Sequence, residues 1–213
     1  MGLFPVFLKM KGRKCLVVGA GEVAESKIEG LLASEAEVTV VAPEAKPEIA
    51  ALAQQGRLQW HRREFVPSDL TGMFLVVTAT NRSEVNACVY REATRSGIIC
   101  NAVDDPPNCD FYFPSIVNRG SLQIAISTAG QSPALAQQLR QEIDEQLPQD
   151  LGQWLDSLGK LRREVLGSMP AGEARKQLLH ELAKRQVCDL EQCPSRRLAK
   201  DTVELSKTSA GNL

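Results

Sequence analysis

Apolar and polar positions alternate in blocks over the first hundred residues. Apolar runs of strand length stand at residues 15–18, 38–41, 73–78 and 98–103, with amphipathic stretches between them. The first run, Cys15-Leu16-Val17-Val18, leads into a stretch carrying Val23, Ile28, Leu31 and Leu32, whose spacing predicts a helix. A strand at residues 37–41 follows, then a helix over about residues 44–55 closed by Gly56, and a short strand at residues 58–60. Residues 65–70 read as a connection. The near-continuous apolar run at 73–78 suits a strand covered on both faces. A helix starting at residues 80–83 carries Val85, Cys88, Val89 and Ala93, and Gly97 ends it where a left-handed residue is wanted. Residues 98–103 give the next strand. This alternation predicts an α/β fold with a Rossmann-type, doubly wound parallel sheet. Right-handed crossovers then put a ligand crevice at the carboxyl ends of the strands.

The rhythm changes after Asp104. Residues 104–108 are turn-rich, and extended runs at 111–117 and 122–127, joined by residues 118–121, predict a β-hairpin. Pro114 makes part of the first run an edge or a bend. Such a hairpin is marginal alone and must pack on something. Ser132 and Pro133 form an N-cap and N1 pair for a helix through Leu135, Leu139 and Ile143, broken at Leu147-Pro148. Helices over about residues 149–166 and 171–186 follow, and the polar tail from Cys188 to Leu213 is expected to fray. Residues 1–8 lack the basic lead of a secretory signal and are expected to pack on the sheet as a first extended segment. The organisation expected is a dinucleotide-binding domain (1–110), a dimerisation segment of hairpin plus helix (111–147) and a helical carboxyl-terminal domain with a flexible tail (148–213).

Composition narrows the function. The chain has 213 residues, 43% of them hydrophobic, enough for a sizeable core. A net charge of −1 argues against general nucleic-acid binding, and no run of about 18 apolar residues predicts a membrane span. Cys15 and Cys100 fall in predicted strands as small core residues, and no C-x-x-C pair occurs. The thiols therefore read as reduced, in a cytoplasmic protein, with Cys188 and Cys193 as surface thiols. Two histidines cannot make a histidine-rich metal site, so no resident metal is expected.

The chemistry concentrates after the first strand. Residues 19–24 read G-x-G-x-x-A: Gly19 allows a tight turn, Gly21 admits a pyrophosphate close to the backbone, and Ala24 lets the helix pack on the strand. The free N–H groups and dipole of the helix start favour phosphate. The competing reading is a glycine turn that binds nothing. Three segments converge at the crevice: residues 19–23, 78–81 and 101–104.

Several segments together resemble precorrin-2 dehydrogenase, the NAD-dependent part of siroheme synthase. They are residues 4–8, 17–24, 77–81, 101–106, 113–116 and 126–136. Among them stand Asn101-Ala102-Val103-Asp104-Asp105-Pro106 and Ser127-Thr128-Ala129-Gly130-Gln131-Ser132-Pro133. The likeness is close over about residues 3–145 and loose beyond. It implies oxidation of precorrin-2 to sirohydrochlorin with NAD⁺, in many members Fe²⁺ insertion at the same site, and a homodimer. The chain looks like the stand-alone form, without a methyltransferase domain.

The resemblance makes Asp104 the catalytic aspartate, a proton acceptor at a strand end, and a transient holder of Fe²⁺. Read as residues alone, Asp104 is equally a turn aspartate before Pro106; Asp105 reads as the turn residue. Glu22 and Val23 match cofactor positions, although Glu is ordinary in a first helical turn. Pro43 and Glu44 lie at the adenosine ribose, where the usual acidic residue at the strand end is absent. Thr78, Thr80 and Asn81 line the nicotinamide end, with Asn101 beneath and Val103 beside it; capping by Thr80 or Asn81 is the competing role. Ser127, Thr128 and Gly130 form a substrate loop near the dimer seam, or a solvated linker. Arg119 and Arg140 could meet substrate carboxylates; the competing reading, preferred for each, is a surface residue. Rival functions are an NAD-binding regulatory module without catalysis, a dehydrogenase of another small molecule, and a dehydrogenase lacking chelatase activity.

Overall fold

A computed structural model describes residues 2–183. Five strands form a parallel sheet: β1 (Lys14–Val18), β2 (Glu37–Val41), β3 (Gln59–His61), β4 (Leu75–Thr78) and β5 (Ile99–Ala102). Their spatial order is β3-β2-β1-β4-β5. Chain order therefore reverses between β1 and β4, and that is where an open α/β sheet leaves its crevice. Helices α1 (Glu22–Ala33), α2 (Pro47–Gln54) and α3 (Ser83–Arg95) connect the strands.

The sheet is buried on both faces because its strands carry apolar residues on both. Cys15, Val17, Val38, Val40 and Val77 pack with Ala24, Ile28 and Ile49 on one side. Leu16, Val18, Val76 and Cys100 pack with Val89 and Ala93 on the other. Each fully buried Val or Leu contributes about 1.5–3 kcal/mol relative to exposure. Cys15 and Cys100 are thus core residues, and burial pushes their thiols up to about 11 and about 12. All four cysteines among the described residues are free, and no described helix is long and apolar enough to cross a membrane. Cys188, Cys193 and the expected tail lie outside the described residues.

The chain divides into two compact units, Met1–Phe113 and Pro114–Leu213. The second holds an antiparallel hairpin, β6 (Ser115–Arg119) with β7 (Leu122–Ile126), and helices α4 (Pro133–Gln146), α5 (Leu151–Ser168) and α6 (Glu173–Ala183). Ser132 caps α4 as expected, its hydroxyl accepting the Leu135 N–H at 3.2 Å with Pro133 at N1. Arg119, expected at the surface, has a nearly buried side chain. It pairs with the Asp144 carboxylate at 2.6 Å and donates to the Asp144 carbonyl at 2.8 Å, tying β6 to α4.

Four local expectations are corrected. Residues 2–9 are exposed and form no strand, because β1 already has β2 and β4 on its two sides. Helix α2 starts at Pro47 rather than residue 44; Pro favours N1, and the Lys46 N–H is taken by the Ala20 carbonyl at 3.0 Å. Val23 and Leu135 lie on their helices' solvent sides, 47% and 49% exposed. Phe111 to Phe113 are not strand. Asp110 holds them against β5, donating its N–H to the Cys100 carbonyl at 2.8 Å and accepting the Cys100 N–H at 2.9 Å. An Asn101–Cys109 antiparallel bridge lies beside that pair. The hairpin accordingly begins only after Pro114.

Candidate active site

The turn after β1 is shaped by contact as well as by φ. Gly19 sits at φ 104°, and a Cβ there would run into the Ala79 carbonyl group. Only glycine meets both conditions. Ladder bonds continue past the strand ends: Gly19 N–H to Val41 O at 2.9 Å, Ala79 N–H to Val18 O at 2.8 Å, Val103 N–H to Thr78 O at 3.0 Å. The segments after β1, β2, β4 and β5 therefore share one rim. Gly19, Gly21, Glu22, Val23, Pro43, Glu44, Thr78, Thr80, Asn81, Asn101, Val103 and Asp104 all belong to it. Ser127, Thr128 and Gly130 belong to the second unit, after β7.

Gly21 is the N-cap of α1, and a Cβ added there would meet no atom within 4 Å. The space over the helix start is open, as a bound pyrophosphate requires. Glu22 and Val23 begin the helix and are exposed. Lys46 is committed to Glu25 at 2.6 Å, which raises its pKa through that hydrogen bond. Glu44 is exposed, and the Pro43 carbonyl accepts Arg62 Nε at 3.4 Å.

The rim after β4 is held by a residue the sequence reading missed. Asn86 Oδ1 lies 2.6 Å from the buried Thr78 hydroxyl and 2.7 Å from that of Thr80, and Asn86 Nδ2 donates to the Thr80 carbonyl at 3.0 Å. The signal was present: Asn86 is a polar residue on the stripe of Val85, Val89 and Ala93. Thr78 is wholly buried, so its hydroxyl braces the loop. Neither Thr80 nor Asn81 is the helix cap; that position is Arg82, with no side-chain cap bond. Asn81 remains exposed. Asn101 donates its amide to the Phe111 carbonyl at 2.7 Å, so it fixes the segment after Asp104.

Asp104 and Asp105 separate cleanly. Asp105 accepts Asn108 Nδ2 at 2.6 Å within the turn. Asp104 has φ 60°, a left-handed conformation that aspartate tolerates better than most residues, and its exposed carboxylate has no hydrogen-bond or ion-pair partner among the described residues. Such uncommon backbone states cluster at functional sites. Lys27 of α1 faces it: burial lowers the lysine's pKa and the Asp104 charge opposes that change.

In the second unit, the Ser127 hydroxyl accepts the Ala129 N–H at 3.1 Å. The Thr128 hydroxyl bridges the Ser132 N–H at 3.2 Å and carbonyl at 3.0 Å. Ala129 (φ 52°) and Gly130 (φ 81°) are both left-handed. The loop is a defined turn in which Thr128 is committed and Ser127 keeps its proton free to donate. No group of three or more His, Cys, Asp or Glu that could hold a metal occurs among the described residues.

A switch-point crevice with an open glycine turn over a helix start defines a nicotinamide-dinucleotide-binding protein. Residues 6–115 match a family model described as "Putative NAD(P)-binding", and residues 119–146 match one described as "Sirohaem biosynthesis protein central". "Siroheme synthase 3" of Aeromonas hydrophila is 45% identical over 177 residues, 83% of this chain and 38% of that protein. "Siroheme synthase 1" of Serratia proteamaculans is 41% identical over 83% of this chain and 37% of its own length. The chain thus spans well under half of these relatives. The solved structure of "SirC, precorrin-2 dehydrogenase" superposes with a TM-score of 0.78 at 28% identity, covering 95% of this chain and 100% of that one. The chain belongs to the family described as putative NAD(P)-binding.

Proposed function

We propose that the protein oxidises precorrin-2 to sirohydrochlorin with NAD⁺, acting as a homodimer. The observation that carries this reading is the unpartnered Asp104 carboxylate at the end of β5, on the same rim as the glycine turn. Similarity to a precorrin-2 dehydrogenase over nearly the whole chain supports the substrate.

Gly21, Glu22 and Val23 would hold the pyrophosphate through backbone N–H groups above the turn that Gly19 permits, Pro43 and Glu44 would meet the adenosine ribose, and Thr78 and Thr80 keep the nicotinamide wall in place. Glu44, a carboxylate suited to a ribose diol, favours NAD over NADP. When bound, the nicotinamide supplies the hydride acceptor. The chain's own part is the proton: as a carbon of the macrocycle gives up hydride, Asp104 takes a proton from the same ring system, so two electrons and two hydrogens leave together. Ser127, Thr128 and Gly130 form a substrate loop. Fe²⁺ insertion into the product at Asp104 extends the same chemistry, since a carboxylate that accepts ring protons serves either step.

Dimerisation rests on the second unit. Its hairpin has two strands and so two open edges, and Ile116 is 48% exposed on the face that also carries Ala125. Two-stranded hairpins are marginal alone, and open edges seek partners. The reaction is tested by anaerobic mixing of precorrin-2 with NAD⁺, following NADH, then addition of Co²⁺ or Fe²⁺. NADH formation with sirohydrochlorin supports the reading; NAD⁺ binding without turnover makes the protein a regulatory module.

A further inference from the structure

Two lysines among the described residues are half-buried, Lys27 and Lys46. Lys46 has its carboxylate in Glu25. Lys27 has no hydrogen-bond acceptor and no ion-pair partner within 4 Å among the described residues. Its ammonium instead sits over the Phe113 ring, 4.3 Å from the centroid. Phe113 is itself fixed edge-on to Phe111 at 5.3 Å between centroids, and Phe111 packs into the sheet core. A cation on a desolvated aromatic face is held in position without losing its three N–H donors. Burial lowers the pKa of this lysine and the Asp104 charge opposes that change in part, while no carboxylate among the described residues pairs with it directly. Phe113 remains 39% exposed, offering ring surface beside the Lys27 ammonium.

We infer that Lys27, seated on Phe113, receives a carboxylate of the substrate and so sets the edge of the macrocycle against Asp104. This deepens the proposed reaction and rests on it: precorrin-2 is a polycarboxylate with an apolar ring system, and the site presents an unmatched ammonium, an aromatic face and a base side by side. An acidic tetrapyrrole supplies the acceptor that the protein withholds. Lys27 belongs to the helix that starts at Gly21, so one rigid element carries both the cofactor turn and the substrate anchor.

The test compares wild type with Lys27→Met and Lys27→Arg in steady-state oxidation of precorrin-2, with sirohydrochlorin titrated as a binding probe by absorbance. A lost hydrogen bond to a charged group corresponds to roughly 10- to 100-fold in affinity. Lys27→Met should raise the precorrin-2 KM and weaken sirohydrochlorin binding by about that factor, with kcat within about threefold and NAD⁺ affinity unchanged; Lys27→Arg should restore most of the loss. A fall in kcat at unchanged KM, with the acid limb of the kcat profile displaced, would make Lys27 a positioning residue for Asp104 and overturn the inference. So would unchanged kinetics. If Lys27→Met fails to fold, Lys27→Gln and Lys27→Arg give the same comparison. A wild-type protein that does not oxidise precorrin-2 would instead overturn the reaction itself.

Discussion

The two units solve the problem of burial differently. In residues 1–113 the sheet is sandwiched, β4 wholly buried and β1 buried from Cys15 to Val18, and its outer edges are short or covered: β3 has three residues and β5 is bonded to Asp110. In the unit after Pro114 the buried apolar set is thin. Val165 and Leu182 form the centre of one small cluster, α4 buries only Ala136, and Ile116 and Leu135 face solvent. The hairpin turn rests directly on α5, where a Cβ on Gly152 would strike the Arg119 carbonyl group. The first unit can complete a dinucleotide site from its own rim. The second leaves apolar surface exposed among the described residues, the surface on which the proposed dimer would form.

The largest effect should fall on the first unit's chemistry. Asp104→Asn keeps the shape and removes the proton acceptor, and turnover is expected to fall about 10²- to 10⁴-fold with NAD⁺ affinity near normal. Turnover within a few-fold of wild type, in a folded NAD-binding variant, would return Asp104 to a turn role. Next comes the second unit. Ile116→Asp places a charge on the open hairpin face; losing one buried Ile per copy weakens a dimer by about 3 kcal/mol or more, roughly a hundredfold in dissociation constant. Sedimentation should show monomers with an intact NAD site. A dimer of unchanged strength would place the seam elsewhere.

A smaller effect attaches to Gly21→Asp. The open space over Gly21 accommodates the side chain, so the melting temperature should hold while like charge repels the pyrophosphate, costing about tenfold in NAD⁺ affinity. Calorimetry showing normal binding would remove the cofactor from this turn. The smallest expected effect concerns Asp69, which holds the connection before β4. Its carboxylate accepts Arg63 Nη1 at 2.8 Å and Nη2 at 2.5 Å and the Val66 N–H at 2.9 Å. The Arg63 bonds, above all, hold its pKa below the ordinary carboxylate value against the opposing effect of burial. A depressed folded pKa stabilises above the unfolded value of about 4 and loses that contribution as pH falls through the folded one. Wild type should therefore lose stability below about pH 4 slightly more steeply than Asp69→Asn, by under about 1 kcal/mol. Parallel acid melts of the two would show the pair to be inert.

The parallel sheet could be read from the chain because β1, β2, β4 and β5 fall on local apolar runs and Gly19, Gly56 and Gly97 mark turns between elements; the bounds of β2 and the Ser132 cap emerged directly. What escaped depends on contacts distant in sequence. Whether Phe111–Phe113 joins the hairpin or the sheet is decided by Asp110 and Asn101, ten residues from the backbone groups they bind. Asn101 carries no mark distinguishing a crevice residue from a brace. Lys27 reads as one more polar position on a helix until Phe113 is brought beneath it. The amino-terminal apolar segment suggested burial, but it pairs with no strand of the sheet and stays exposed over residues 2–9.

The seal on β5 also bears on how the chain is made. A ribosome delivers the amino end first, and domains tend to fold as they emerge. Until Asp110 is out, β5 offers a free edge to any extended segment. Asp110 emerges a few residues ahead of the hairpin, so its bonds to both backbone groups of Cys100 can occupy that stretch of edge before either hairpin strand is free to compete for it. The link from Cys100 to Asp110 is thus one that the first unit makes from its own residues, available while the chain is still growing.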